Sequence, residues 1–158
     1  MNAVMKKVIL MTFVLLGATL SYAQKKVKEK DVPQAAKDTF KKKYPRATDP
    51  EWRTAGDNAY DVDYETGNRV YISKFSADGK WIETETDVTL GSLPKPVRDE
   101  WKKSAHKDWE VLYVVKVEAA DTTAKPKVYY QIAVKKAREM KGVLIAADGK
   151  KSLTEDIK

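Results

Sequence analysis

The chain has 158 residues, no cysteine, one histidine and a formal charge of +7 from 30 basic and 23 acidic side chains. Its length suits one domain behind a leader, and the lack of cysteine excludes disulfides, thiol catalysis and cysteine-held metals. The basic side chains are interspersed with acids rather than clustered beside aromatics, which argues against a nucleic-acid partner.

The basic pair Lys6 and Lys7 precedes an unbroken apolar run over residues 8–20, and Ser21 and Ala23 bracket Tyr22 at the spacing a signal peptidase reads. The sequence therefore predicts a signal peptide over residues 1–23, too short for a comfortable membrane span. Its cleavage leaves a periplasmic or secreted domain over 24–158, with no membrane attachment. Residues 24–30, QKKVKEK, are charged and aperiodic and are expected to be disordered. Val32, Ala36, Phe40 and Tyr44 then recur every four residues as a helical stripe. Pro33 suits the first turn, Lys41, Lys42 and Lys43 suit the negative end of the helix dipole, and Pro45 stops the helix. A short strand over 51–55 carries Trp52. Residues 60–65 alternate Tyr60, Val62 and Tyr64 with Asp61, Asp63 and Glu65, the pattern of a half-buried strand. Gly67-Asn68 and Asp78-Gly79 are tight hairpin signals, so strands over 69–76 and 80–86 complete an antiparallel meander.

The second half repeats the first. Residues 60–80 and 130–150 align without a gap at an offset of 70. Tyr60 falls on Tyr130, Val62 on Ile132, Phe75 on Ile145, and Ala77-Asp78-Gly79-Lys80 on Ala147-Asp148-Gly149-Lys150. Leu93, Val97, Trp101 and Ala105 repeat the helix stripe at an offset of 61, Pro94 falls on Pro33, and Trp109 answers Trp52. A polar loop over 119–127 absorbs the difference, and strands are expected over 110–118, 128–135, 140–146 and 150–153. The fold class is α+β: a tandem repeat of a helix plus a four-stranded antiparallel sheet, with units over about 31–88 and 92–153. Residues 91–96 are too short for a free linker, so the units form a single domain.

Several residues in series stand in the order and spacing of a known family. They are Val32-Pro33, Phe40, Tyr44-Pro45-Arg46-Ala47, Trp52, the alternating strand from Tyr60 and the Ala-Asp-Gly-Lys turn. Over its whole mature length, in two copies, the chain resembles the PepSY-like family of exported bacterial proteins, also described as β-lactamase-inhibitor-protein-like. The second copy departs from the pattern at Ser104-Ala105-His106-Lys107-Asp108, where a Tyr-Pro-x-Ala would stand. The resemblance implies a helix-plus-sheet tandem fold and a role in binding or inhibiting other proteins, peptidases among them.

Catalytic groups are scarce. The lone His106 lies in a charged loop, and there is no Gly-x-Ser-x-Gly, phosphate loop or paired metal-spaced histidines. The carboxylates Asp61, Asp63 and Glu65 share one strand face but recur in the second half as Gln131, Ala133 and Lys135. No enzyme activity, cofactor or metal is expected. The reading is a non-enzymatic binding module for an envelope protein or peptide, an inhibitor or regulator of it. The alternatives are a carrier of a small apolar ligand and, behind that, a carboxylate-based hydrolase. Hairpin register places the binding surface: Glu65 pairs with Val70, Asp63 with Ile72, Asp61 and Glu83 with Lys74, and Ile72 with Glu85. Asp61, Asp63, Val70, Ile72, Lys74, Trp81 and Glu83 then point away from the helices, joined from the second half by Met140 and Leu144. Tyr60, Val62, Tyr64, Tyr71, Ser73, Phe75 and Ile82 point toward them. Apolar side chains rimmed by charge suit a protein partner, with burial against the other half or a second copy in a homodimer as the competing use of the face.

Overall fold

The computed structural model describes residues 25–56, 58–120, 127–150 and 152–157. The signal peptide expected over residues 1–23 and residues 121–126 of the long polar loop lie outside them. Nine strands and two helices follow one another: β1 (Lys26–Val27), α1 (Gln34–Lys43), β2 (Thr48–Thr54), β3 (Ala59–Thr66), β4 (Arg69–Ser76), β5 (Trp81–Val88), α2 (Lys95–Trp101), β6 (Glu110–Ala119), β7 (Val128–Lys136), β8 (Glu139–Ala146) and β9 (Ser152–Asp156). The strands form a single antiparallel sheet in sequence order.

This corrects the expectation of one sheet per half. β5 would leave an open edge, and β6 pairs with it from Glu83↔Ala119 to Val88↔Val114, satisfying both rows of backbone groups. The leader is also corrected. Val27 pairs with Trp52 and Lys26 with Arg53, Thr54 N–H donates to the Lys25 carbonyl at 3.0 Å, and Glu29–Asp31 forms a 3₁₀ turn. Two residues are too few to show a period, so the strand leaves no trace in the sequence pattern.

Both helices lie on one face, each over its own cluster. Val32, Ala36 and Phe40 are buried against Trp52, Val62, Tyr64 and Phe75, with Tyr60 half-buried at the margin. Phe40 is ringed by Tyr44, Trp52, Tyr64 and Phe75 at centroid separations of 4.9–6.2 Å within the group. Leu93, Val97 and Trp101 cover Val114, Tyr130, Ile132, Val134, Val143 and Ile145. The expected fourth member of the second stripe, Ala105, is exposed: α2 ends at Trp101, and Lys103 and Ser104 N–H turn back to Glu100 and Trp101 carbonyls.

The repeated Ala-Asp-Gly-Lys turn has a physical cause. Gly79 (φ 87°) and Gly149 (φ 72°) both take the left-handed conformation. A Cβ on Gly79 would lie 2.7 Å from the Ala35 carbonyl oxygen, and one on Gly149 2.6 Å from that of Pro96. In each half the hairpin turn touches the start of the helix too closely for any side chain.

Candidate functional site

The helices leave one face of the sheet uncovered, and its register sets the site. One cross-strand row runs Arg53, Asp61, Lys74, Glu83, Ala119; the next runs Glu51, Asp63, Ile72, Glu85, Val117, Tyr129, Ala146. A third pairs Glu65 with Val70 and, past the end of the β4–β5 ladder, runs Asp87, Val115, Gln131, Leu144, Leu153. The strands of the first half contribute mostly charge. Those of the second contribute a buried apolar cluster of Val115, Val117, Tyr129 and Leu144, edged by Tyr113 and Ala119.

No helix covers Asp61, Val117 or Ala133, yet each is 0% exposed. Longer neighbours flank them, Arg53 and Lys74 beside Asp61 and Tyr113 beside Ala133, and Ile157 lies over Gly142 next to Ala133. Their burial by neighbours on the same face follows if that face is the inside of a coiled sheet, as a long twisted sheet favours. Coiling of that kind makes the site concave, with acid on one flank and aliphatic and aromatic side chains on the other.

The electrostatics follow from this crowding. Arg53 pairs with Asp63, and Lys74 pairs with Glu83 at 3.0 Å, the latter side chains 21% and 15% exposed. Burial pushes the Asp61 carboxyl up to about 7; Lys74 opposes the shift, while Glu83 and Asp63 reinforce it. Burial pushes Glu85 up to about 8, again reinforced by Glu83 and opposed by Lys74. Asp63 is raised by burial against the pull of Arg53, and Tyr113 is pushed up to about 12 by burial and the nearby Glu85. Three shielded atoms have no hydrogen-bond partner among the described residues: Asp63 Oδ1, Glu85 Oε2 and Gln131 Nε2.

Of the residues expected on this face, Asp61, Ile72 and Leu144 are there but buried, and Asp63, Val70, Lys74, Glu83 and Met140 are half-buried. Trp81 is not there. A bulge pairs Phe75 with Trp81 while Lys74 keeps Glu83, so Trp81 takes the helix-side place expected for Ile82. Its Nε1–H donates to Thr84 Oγ1 at 2.8 Å and Lys43 Nζ lies 3.9 Å from its ring centroid, which satisfies both the polar edge and the π face. Glu85, although paired with Ile72 by the turn register, was not counted on the face, and Arg53, Tyr113, Val115, Val117, Tyr129 and Gln131 were missed. Continuing the same two-residue alternation across β6 and β7 finds the last four, once the sheet is known to be continuous. His106 stands edge-on to Trp109 with ring centroids 4.7 Å apart, remote in sequence from every row of the face. Among the described residues no group of three or more His, Asp or Glu is arranged to hold a metal, and no helix is long and apolar enough to cross a membrane.

A family described as "Putative beta-lactamase-inhibitor-like, PepSY-like" matches residues 19–74 and 58–145. The chain belongs to the PepSY-like family. Among solved structures, a BLIP-like protein of Bacteroides fragilis is 27% identical, with a TM-score of 0.69 over 78% of this chain and 85% of that one. A DUF2874 family protein of Bacteroides ovatus, 24% identical, has a TM-score of 0.69 over 78% of this chain and 86% of that one. A Bacteroides eggerthii structure described as "putative periplasmic proteins", 23% identical, has a TM-score of 0.69 over 80% and 89%. No curated protein matches. The PepSY-like chain thus shares an α+β fold with these proteins: one antiparallel sheet carrying two helices.

Proposed function

We propose that this PepSY-like chain is an exported, non-enzymatic module that binds an envelope protein or peptide on the concave, helix-free face. The observation that carries the reading is the pairing, on one face, of an apolar cluster with shielded polar atoms that lack partners among the described residues. Buried polar groups are ordinarily satisfied, and a partner segment laid across the face would satisfy these. The family's inhibitor-like description supports binding as the activity and inhibition of the partner as its consequence. In this reading, residues 1–23 are removed on export, and the domain is two copied units over about 31–88 and 92–153. The matching contacts of Gly79 on Ala35 and Gly149 on Pro96, with the helix residues 61 apart and the glycines 70 apart as in the two repeat offsets, support the duplication.

Capture from envelope extract, followed by mass spectrometry, tests the binding reading. Tyr113→Ala combined with Met140→Ser alters half-buried side chains of this face. The expected outcome is a partner captured by the parent protein and lost by the variant, with the melting transition retained. Equal capture by both would overturn the assignment of the face.

A further inference from the structure

We infer that the concave face receives a cationic polypeptide segment, seating a lysine or arginine side chain beside Glu85 with its methylene stem along Val117 and Tyr129. The inference rests on the binding reading above and adds the chemistry of the partner. In the rows of the first five strands, Lys26, Arg53 and Lys74 meet a larger number of acids, among them Asp61, Asp63, Glu83, Glu85 and Asp87, and Lys26 is engaged by Glu51. Arg53 is engaged by Asp63 and Lys74 by Glu83. Among the described residues no cation stands within ion-pair distance of Glu85, and its Oε2 is both shielded and without a hydrogen-bond partner. Acids thus outnumber cations here in a chain whose net charge is +7, so the face differs in sign from the molecule as a whole. Burial among like charges holds the free Glu85 carboxyl largely protonated near neutral pH, and an incoming cation favours its ionised form.

Gln131 is a second, independent indication. It is 5% exposed, and its Nε2 lacks an acceptor among the described residues. The amide lies on the same face beside Gly142, 3.6 Å from where a Cβ would stand. Glu85 is thus an acceptor in need of a donor and Gln131 a donor in need of an acceptor. They are two strands and one row apart, roughly 12 Å at the usual strand spacing and rise. A peptide satisfies both, with its cationic side chain at Glu85 and a backbone carbonyl at Gln131, whereas a bare cation satisfies only the first. Val115, Val117 and Tyr129 form the apolar floor between them.

Fluorescence anisotropy with a labelled Gly-Lys-Val-Lys-Val-Lys-Val-Gly peptide, and with its analogue carrying Glu for each Lys, tests this on the purified protein. The lysine peptide should bind, and the glutamate analogue should bind at least about tenfold more weakly. Glu85→Gln and Gln131→Leu should each weaken the lysine peptide by about tenfold, whereas Asp38→Asn and Asp99→Asn on the helices should not. Asp87→Asn, at an exposed position, gives a second acid-row variant should Glu85→Gln fail to fold, and it should weaken binding about twofold. Binding of both peptides alike, of neither, or undiminished by the acid-row variants would overturn the inference. If Tyr113→Ala/Met140→Ser abolishes partner capture while Glu85→Gln changes nothing, the face binds without a cation. If no variant matters, the binding reading itself falls.

Discussion

Asp61 and Glu85 set the response of the molecule to pH. Asp61 is faced by Asp63 on its own strand, Arg53 on β2, Lys74 on β4 and Glu83 on β5. Glu85 is faced by Glu83 and Asp87 on its own strand, by Lys74 and Asp61, and by Tyr113 and Tyr129 from β6 and β7. Both carboxyls are raised by burial, so the folded state holds protons that the unfolded chain has already released. Their contribution is fully present below the ordinary carboxylate range and is lost as pH rises through about 7 for Asp61 and about 8 for Glu85. The unfolding midpoint should therefore fall from about pH 4, the ordinary carboxylate value, to about pH 8 and level off above it, and Asp61→Asn with Glu85→Gln should flatten that fall. Parallel pH profiles for parent and variant would show that these two groups do not carry the effect.

At the scale of elements, the contact between hairpin turn and helix start is the repeated joint. Gly79→Ala and Gly149→Ala each place a Cβ within 3 Å of a helix carbonyl and force a side chain into the left-handed region. The backbone strain alone costs about 1–3 kcal/mol, so urea denaturation should show each variant destabilised by at least about that much. A loss under about 0.5 kcal/mol, the ordinary range for surface changes, would mean the joint can open freely. Much of this scale was legible in the sequence. The β3–β4 and β4–β5 registers follow from turn residues and alternation, and the aromatic stripe of α1 places Phe40 in its cluster. The bulge at Ile82 was not legible, because Asp78-Gly79 alone reads as a simple two-residue turn. The early end of α2 was hidden because Ala105 keeps the four-residue spacing while the backbone has already turned.

At the scale of the molecule, a sequence pattern assigns residues to the two faces of a strand but does not say which strand edges meet. The pairing of β5 with β6 joins the acidic rows of the first half to the apolar cluster of the second, and only that union makes the concave site. For this reason Asp61, Asp63, Lys74 and Glu83 could be placed from the sequence, whereas their apposition to Val117, Tyr129 and Gln131 could not. Burial on both sides of an uncovered sheet likewise depends on coiling, which alternation does not encode. The most direct test of the account is site-specific photo-crosslinking in living cells. A photoreactive amino acid is placed at Tyr113 or Met140 on the concave face, or at Asp38 on the exposed side of α1. The account predicts crosslinks to the same envelope protein from the first two positions and none from the third. Crosslinks from Asp38 alone, with none from the concave face, would contradict it.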